Sequence, residues 1–450
     1  MNTKIDFVKG KTSKCLMFMF LPVMAAMFLN MAYNVVDSLW IGNLLGEKAY
    51  AALTSSTPIV LILCSIAMGS TNGVAILVSQ AIGAKDKKRV ESTISTSFTI
   101  AVVFSIAVSA ILELLLPSIL RMLNTPKETF NMAYAYLSIY LIGYTAVFLY
   151  CYFTAVLRSF GNAVFQMIAM LICTILNAVL DPIFMKMMNF NGAAVATVLS
   201  QSICLIIMIV YLAKKRVFVL NIRTFDKSKV GEIIKKSVPS AFQQSIPAIS
   251  TSFLTSLISS IGISAIAAYG VTGKLETILF YPAMAFNMVL TNIIGQCAGA
   301  CRWDRARDYI RSSLKTGIPM LIVLSVLVVG FAKQLSGLFL KSSDVAEIVR
   351  VYFMIVSIGY ILNTVTNCYL GAVNGLGNPG KSMMLMVLYY IIVRMPLSYV
   401  LLNTGFGLNG IWSAILISHV VAAIAAALAG NRLIKKQENE IRPEVVAQSL

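Results

Sequence analysis

Long apolar stretches recur along the whole chain and constrain its fold more than any other feature. Each has roughly 20 residues or more, enough for an α-helix to cross about 30 Å of hydrocarbon. Because 58% of the 450 residues are hydrophobic and only 12% are charged, a water-soluble core does not accommodate them. We predict an all-α polytopic membrane protein, since the segments are too long and uniformly apolar for transmembrane β-strands. The twelve predicted spans are residues 14–40, 52–80, 92–116, 134–156, 164–188, 193–213, 237–260, 268–297, 314–335, 350–371, 382–402 and 408–430.

The basic residues are distributed unequally between the two sides of the predicted bundle. The N-terminus, the C-terminal tail and the connections after even-numbered spans, together with Arg158 and Lys381, hold 27 Lys and Arg residues, whereas the opposite connections hold eight. This asymmetry predicts a multi-pass protein of the cell (inner) membrane with both termini in the cytoplasm. The net charge of +18 is therefore a topology signal that also attracts anionic lipid, and no nucleic-acid partner is expected.

Cysteine and histidine are too sparsely arranged to indicate catalysis or a metal cluster. The eight Cys residues lie mostly inside predicted spans without metal-like spacing, and His419 is the single histidine. Small packing residues are the expected role of the cysteines. We predict a protein that is not an enzyme and that needs no cofactor beyond a coupling ion.

The sequence repeats itself at an offset of 216 residues. The aligned pairs are SQAIGA at 79–84 with GQCAGA at 295–300, YLSIYLIGY at 136–144 with YFMIVSIGY at 352–360, and RSFGN at 158–162 with NGLGN at 374–378. Six spans per repeat give both halves the same orientation, so a pseudo-two-fold axis along the membrane normal is expected. Two parallel halves around a central cleft favour a transporter that works by alternating access.

The repeat also predicts the domain organisation. Residues 1–213 form an N-terminal six-helix bundle that carries the coupling-ion site, and residues 237–450 form a C-terminal six-helix bundle with a short cytoplasmic tail. Residues 214–236 are rich in Lys and Arg and are expected to be a basic cytoplasmic linker.

Few acidic side chains are expected inside the spans. Asp37 and Asp181 lie well inside the first and fifth spans, and Glu113 lies closer to a span end, where an interfacial position is expected. An ionised Asp at a membrane-helix centre costs about 2.5–3.5 kcal/mol on insertion scales, so such residues should face a cavity, find a partner or be protonated. Neither Asp has an acidic counterpart at the repeat offset. We therefore predict that the N-terminal half alone binds a coupling cation.

Polar side chains accompany both acids. Asn177 lies one turn before Asp181, and Tyr33 and Asn34 lie one turn before Asp37, in each case on the same helix face. Two carboxylates close together in a low dielectric readily take up a proton, and with amide and hydroxyl oxygens they bind Na⁺ equally well. The alternatives are a structural hydrogen bond for Asp181 and a position near the headgroups for Asp37.

Two prolines are candidate hinges. Pro182 follows Asp181 directly and is expected to kink its helix, which frees a backbone carbonyl near the acid. Pro22 offers the first span a bend about four turns before Asp37.

The motifs in combination resemble the multidrug and toxin extrusion (MATE) family, with the DinF-like branch the most similar. They are LP followed by YNVVDSLWIG, then VSQAIGAKDKKRV, LRSFGN, NAVLDPIFM and NGAAVATVLSQ, and the likeness covers nearly the whole chain. The resemblance implies export of drugs or metabolites, often organic cations, in exchange for H⁺ or Na⁺. By motif, it implies that Asp37, Asn177, Asp181, Thr197 and Tyr33 bind the coupling ion, H⁺ or a sodium ion.

The resemblance also bears on the C-terminal half and on the exported compound. Another branch uses acids in the seventh and tenth spans, where this chain has none, so a C-terminal cation site is expected to be absent. Abundant Met, Phe and Tyr suit lipophilic cations. Asn34, Tyr140 and Arg394 are candidate cavity residues, and a substrate role for Arg394 would favour anionic or zwitterionic cargo. The role of His419 stays open.

Two other classes of protein stay open at this point. One is a flippase for a lipid-linked precursor, which a single intramembrane Arg matches poorly. The other is a membrane-embedded enzyme or receptor, for which no paired catalytic motif is found. The expected partners are a small-molecule substrate and membrane lipids, and a monomer is expected.

Overall fold

The structure, a computed structural model, describes residues 5–123, 125–215, 217–218 and 224–447. Within these residues it contains twelve long helices and no β-strand, as the sequence predicts. In chain order the helices are α1 (Thr12–Gly46), α2 (Lys48–Gly83), α3 (Lys87–Met122), α4 (Lys127–Ser159), α5 (Ala163–Met188), α6 (Phe190–Lys215), α7 (Lys227–Ser259), α8 (Ile263–Gly299), α9 (Trp303–Gly330), α10 (Ser343–Gly375), α11 (residues 379–406) and α12 (Gly407–Ala447).

The lengths and composition of these helices agree with membrane spans. Ten helical segments of the described chain are long and apolar enough to cross a membrane, and the last of them, Pro379–Glu440, covers most of α11 and α12 together. The remaining helix, α7, is less apolar because Ser, Thr and Lys interrupt it. The prediction of a twelve-helix polytopic membrane protein is confirmed.

Glycines with left-handed backbone angles separate helices that otherwise run on without a loop. Gly46 (φ 78°) divides α1 from α2, and Gly405 (φ 87°) with Gly407 (φ 53°) divides α11 from α12. Only glycine adopts these angles at little cost, so these positions allow the chain to reverse within a very short connection.

The predicted linker overlaps the start of α7. Residues 216 and 219–223 of the predicted stretch 214–236 lie outside the described residues, and from Lys227 onward the chain is already helical. On this first part of α7, Glu232 forms an ion pair of 3.0 Å with Arg89 of α3. The domain boundaries drawn from the sequence stay a prediction.

The described chain divides into two compact units. Unit 1 consists mainly of Leu21–Val78 and Asp86–Ala241, and unit 2 consists of Asp6–Phe20, Ser79–Lys85 and the described residues from Phe242 onward. The first twenty residues of the N-terminal half therefore do not all pack with that half. Helix α1 changes from unit 2 to unit 1 between Phe20 and Leu21, directly before Pro22.

An arginine of α9 holds the N-terminal segment within unit 2. The Arg305 guanidinium donates to the carbonyl oxygen of Phe7 (3.2 Å), to that of Gly10, and to the Thr12 hydroxyl (2.9 Å). The Tyr309 hydroxyl donates to the same Phe7 carbonyl at 2.9 Å. Because Phe7 is also fully buried, both polar and apolar contacts keep this segment in place.

Substituting this arginine should release the segment. We expect Arg305→Met to raise the maleimide-labelling rate of Cys15, which is buried, by about tenfold to a hundredfold, because charged hydrogen bonds contribute about 1.5–3 kcal/mol each. Mass spectrometry of the labelled thiol measures this rate. Arg302→Gln is the control, since the exposed Arg302 bonds only Asp304 in the described structure, and it should leave the rate unchanged. An unchanged rate in Arg305→Met would contradict the anchoring role.

Candidate coupling-ion site

Asp181 and Asn177 face each other along one side of α5. The Asn177 amide nitrogen Nδ2 donates to Asp181 Oδ1 at 2.9 Å, and both side chains are completely buried. A spacing of four residues places the two groups on one helix face, which explains why the bond forms. The amide leaves the second carboxylate oxygen of Asp181 free for another contact.

Helix α1 brings a second acid to the same place in unit 1. The carboxyl groups of Asp37 and Asp181 interact directly, although the residues lie 144 positions apart. Tyr33, one turn before Asp37, faces both carboxyl groups and lies next to Thr197 of α6. The structure thus brings together all five residues that the motifs single out, and their role as ion ligands stays a prediction.

Besides the Tyr33 hydroxyl, three oxygen atoms of this cluster are buried without a hydrogen-bond partner. They are Asp37 Oδ1, Asn177 Oδ1 and Asp181 Oδ2. A buried polar atom without a partner costs about 1–3 kcal/mol, so native structures rarely contain several in one place unless something else binds them. Because all three are acceptors, the missing partner is a donor or a cation.

The charge balance of the cluster points in the same direction. In the part of the chain that the structure describes, no Lys, Arg or His forms an ion pair with Asp37 or Asp181. The described residues also contain no group of three His, Cys, Asp or Glu side chains arranged for a metal ion. Carboxylate, amide and hydroxyl oxygens fit a proton or a hard monovalent cation such as Na⁺ and fit a softer transition metal poorly.

Apolar packing encloses the cluster on one side. Tyr33 belongs to a buried group that also contains Ala26, Met170, Cys173 and Cys204. These side chains come from α1, α5 and α6, the helices that also supply the acids, the amide and Thr197. The rigid packing of the three helices therefore positions the polar groups.

One residue of this site was missed in the sequence. Tyr136 of α4 lies within electrostatic range of both Asp37 and Asp181 and stacks on Phe190 with ring centroids 5.0 Å apart. The repeat could have pointed to Tyr136, because this residue begins the repeated stretch and aligns with Tyr352 at the 216-residue offset.

The candidate cavity residues of unit 1 lie outside the cluster. Asn34 is exposed, and its amide donates to the Asn30 carbonyl at 2.7 Å on its own helix. The Tyr140 hydroxyl is 3.5 Å from the Cys64 sulfur, and Tyr140 is buried. Neither placement tests contact with cargo.

The two candidate hinges occupy different settings. Pro182 follows Asp181 within α5, and the helix continues through it without interruption. The kink predicted at Pro182 therefore does not interrupt α5. Pro22 lies where α1 passes from one packing unit to the other. Both hinge roles stay predictions.

Glu113, the acid predicted near a span end, is hydrogen-bonded to a neighbouring helix. Glu113 of α3 accepts a hydrogen bond of 2.7 Å from Ser138 and a weaker one of 3.4 Å from Tyr134, both on α4. These contacts are local to α3 and α4 and give Glu113 no part in the coupling-ion cluster.

Arg394 and His419 belong to a buried polar network in unit 2. Arg394 donates through Nε to Ser418 (3.0 Å) and through a terminal nitrogen to Tyr389 (2.8 Å), whose hydroxyl is 2.6 Å from His419 Nδ1. The guanidinium also packs over the rings of Tyr389 and Tyr390 at 4.7 and 4.5 Å. Residues 387–394 form a π-helical segment of α11, which places Arg394 and Tyr389 side by side.

Besides Asp37, Asp181 and Glu113, a fourth acid lies inside a predicted span, and it belongs to the C-terminal half. Glu276 lies inside the predicted eighth span, and in unit 2 its carboxylate accepts hydrogen bonds from Tyr352 and Tyr360 of α10. Both tyrosines are fully buried. At the repeat offset Glu276 corresponds to Val60, so a comparison restricted to the positions of Asp37 and Asp181 does not find it.

The amide of Asn177 offers a direct test of the cluster. We expect Asn177→Ala to raise the concentration of coupling cation needed for half-maximal transport by about tenfold to a hundredfold, because the variant removes one ligand oxygen and one charged hydrogen bond. Titration of the coupling cation against transport measures the shift. Asn34→Ala, which removes an exposed amide, should show none. An unshifted titration in Asn177→Ala would exclude the amide from the site.

A family model and individual proteins match this chain. The family model described as MatE matches residues 22–183 and again residues 239–400, so the two matches repeat at nearly the offset seen in the sequence. A probable multidrug resistance protein of Bacillus subtilis (strain 168), YpnP, is 28% identical over 94% of this chain and 96% of its own length. An FAD transporter of Shewanella oneidensis is 23% identical over 96% of this chain and 97% of its own length.

The fold is likewise that of solved structures. A crystal structure of MATE in complex with MaL6 superposes with a TM-score of 0.91, covering 96% of this chain and 98% of the other, at 22% sequence identity. At this identity the likeness concerns the fold.

Proposed function

Because the chain belongs to the MatE family of transporters, we propose that it is a cation-coupled antiporter that exports drug-like or metabolite compounds by alternating access. The observation that carries this proposal is the group of buried, unpartnered acceptor oxygens on Asp37, Asn177 and Asp181. A proton or a sodium ion satisfies these acceptors and lowers the charge of the cluster. We propose the DinF-like branch on the motifs, because both acids of the cluster belong to the N-terminal half.

The transport cycle follows from loading and unloading this cluster. In the outward-facing state the two carboxyl groups take up the cation, which allows α1 to bend near Pro22 and the cavity to shrink. The exported compound is then expelled to the outside. In the inward-facing state a new substrate displaces the ion, which returns the oxygens to their unpartnered state.

The available driving force is adequate for such a cycle. One pH unit supplies about 1.4 kcal/mol per proton, and 100 mV supplies about 2.3 kcal/mol per net charge moved. Exchange of one proton for one monovalent organic cation therefore sustains a roughly tenfold concentration gradient per pH unit.

The substrate class follows from composition and from relatives. We propose lipophilic organic cations as the main cargo, because polarisable Met and aromatic side chains are abundant and the name of YpnP describes multidrug resistance. The name of the Shewanella oneidensis relative, an FAD transporter, makes an anionic metabolite the second candidate. The flippase alternative is not favoured, since the names of these relatives describe multidrug resistance and FAD transport. We place the protein in the cell membrane as a monomer, with both termini in the cytoplasm.

An ion-exchange experiment in proteoliposomes tests the proposal. Protein reconstituted with tetraphenylphosphonium should export it against its gradient when either a pH gradient or a Na⁺ gradient is imposed, and the effective gradient identifies the coupling ion. Vesicles that contain the Asp37→Asn variant are the control. If the distribution of tetraphenylphosphonium is the same with a pH gradient, with a Na⁺ gradient and with no gradient, coupled export of organic cations is overturned.

A further inference from the structure

Unit 2 contains a carboxylate that the proposed coupling mechanism does not use. Glu276 of α8 accepts hydrogen bonds from the hydroxyl groups of Tyr352 and Tyr360, which are themselves 2.9 Å apart. Two O–H donors fix the orientation of this carboxylate. Tyr352 occupies the repeat position of Tyr136, which lies within electrostatic range of Asp37 and Asp181 in unit 1.

The space in front of this carboxylate is open. Tyr269, Gly273 and Glu276 lie on one face of α8, and a Cβ atom built on Gly273 meets no atom within 4 Å. Tyr269 and Glu276 are partly exposed, and the exposed Thr251 of α7 is within hydrogen-bonding reach of the Tyr269 hydroxyl. Exposed polar groups at membrane depth are tolerated where they line a water-filled cavity, so this face is accessible to a solute.

Aromatic rings surround the carboxylate. Trp412 of α12 stacks on Tyr269, with centroids 6.0 Å apart, and contacts Tyr352 edge-on at 4.7 Å. Trp412 and Tyr352 are fully buried, and Tyr269 is the partly exposed ring of the three. The electron-rich face of an aromatic ring attracts cations, and the attraction grows when water is excluded. An anion bordered by aromatic rings is the arrangement that binds organic ammonium and phosphonium groups.

The positive side chains of unit 2 do not occupy this carboxylate. No ion pair joins Glu276 to a basic residue among the described side chains, and Lys274 instead lies over the Phe339 ring at 5.5 Å. Arg394 acts on Glu276 only at longer range, and its guanidinium is enclosed by Tyr389, Tyr390 and Ser418. The carboxylate is thus partly exposed, whereas the guanidinium is buried.

We propose that Glu276 is the anionic contact for the cationic group of the exported compound, in a site within unit 2 that is separate from the coupling-ion cluster of Asp37 and Asp181. This inference rests on the proposed function, in which organic cations are the cargo. Tyr269, which stacks on the buried Trp412, supplies the aromatic surface, and Tyr352 and Tyr360 hold the carboxylate in place. The charge of the cargo, and not only its lipophilicity, then decides recognition in unit 2.

Equilibrium binding to the purified full chain in lipid nanodiscs tests this site. The Kd for tetraphenylphosphonium should rise about tenfold to a hundredfold in Glu276→Gln, the loss expected for one charged contact. The Kd for triphenylphosphine oxide, a neutral analogue, should stay within about twofold of the wild-type value. Glu113→Gln is the matched control, because it also neutralises a span carboxylate bonded to a tyrosine, and it should leave both constants unchanged.

A second variant separates recognition from stability. Glu276→Asp keeps the charge on a shorter side chain and should retain tetraphenylphosphonium binding better than Glu276→Gln, even if the amide variant folds poorly. Wild-type affinity for tetraphenylphosphonium in Glu276→Gln would overturn the inference. Equal weakening of the cationic and the neutral ligand in both variants would also overturn it, since that is the result of a structural role.

The outcome also distinguishes this site from the proposed function. Binding that depends on Glu276 but is not driven by any ion gradient would leave the site standing and overturn coupled export. If Glu276→Gln still exports tetraphenylphosphonium when an ion gradient is imposed and binds it with wild-type affinity, coupled export stands and the role of Glu276 is overturned. A wild-type protein that binds no tetraphenylphosphonium would overturn the organic-cation cargo and, with it, the role of Glu276.

Discussion

Asp181→Asn and Asp37→Asn should each abolish coupled transport while the protein still inserts and folds. The amide has nearly the size of the carboxyl group, so the packing around both buried positions is retained. It neither takes up a proton nor supplies the negative charge that holds Na⁺, so the cluster no longer changes its charge state during the cycle. We expect uphill accumulation of tetraphenylphosphonium in proteoliposomes to fall from roughly tenfold per pH unit to no accumulation.

The controls for this experiment are already present in the chain. Glu113→Gln neutralises a carboxyl group that bonds Ser138 and Tyr134, and it should keep coupled transport near the wild-type level. Size-exclusion profiles and thermal unfolding of each variant show whether the fold is retained. If both Asp variants still export tetraphenylphosphonium against its gradient, the coupling site lies elsewhere.

Gly83→Ala and Gly299→Ala should each destabilise unit 2 strongly. A Cβ atom on Gly83 would lie 2.0 Å from the backbone oxygen of Gln296, and one on Gly299 would lie 1.9 Å from that of Gln80. The two contacts are reciprocal at the repeat offset, as expected where equivalent segments meet around a pseudo-two-fold axis. Backbone atoms do not rotate away as a side chain does, so the helix ends must separate.

The expected loss in the free energy of unfolding is about 3 kcal/mol for each variant, the upper end of the usual cost of overpacking. Unfolding in detergent, followed by the monodisperse fraction after heating, measures it. Gly231→Ala is the matched control, because a Cβ atom there meets nothing within 4 Å. In a helix that substitution should be neutral or stabilising by up to about 1 kcal/mol. Equal stability of Gly83→Ala and Gly231→Ala would contradict the close backbone contact.

The coupling-ion cluster illustrates how far local spacing predicts a site. Asn177 and Asp181 lie four residues apart on one helix, so their bond follows from helical geometry. The pairing of Asp37 with Asp181 depends instead on how α1 packs against α5, which no spacing reveals. The family motifs singled out both acids, whereas Tyr136, which lies within electrostatic range of both, went unnoticed because an aromatic residue in a membrane helix is ordinary.

Two features of unit 2, the acid Glu276 and the π-helical segment of α11, were not predicted from the sequence. Glu276 was overlooked because the repeat directed attention to the counterparts of Asp37 and Asp181, and duplication had not kept an acid there. Its contacts with Tyr352 and Tyr360 join residues 76 and 84 positions apart. The π-helical segment that presents Arg394 to Tyr389 depends on one extra residue per turn, which hydrophobic periodicity does not resolve.

The sequence by itself predicted the helical class and the number of spans from hydrophobicity, and the duplicated plan from the 216-residue repeat. These properties depend on patterns summed over many residues. Tertiary packing alone decided that residues 6–20 and 79–85 belong to unit 2, that Asp37 interacts with Asp181, and that Glu276 lies partly exposed beside Tyr352 and Tyr360. The insertion of a helix into the membrane depends on the hydrophobicity of that helix alone. A binding site, in contrast, depends on side chains that different helices bring within a few ångströms of one another.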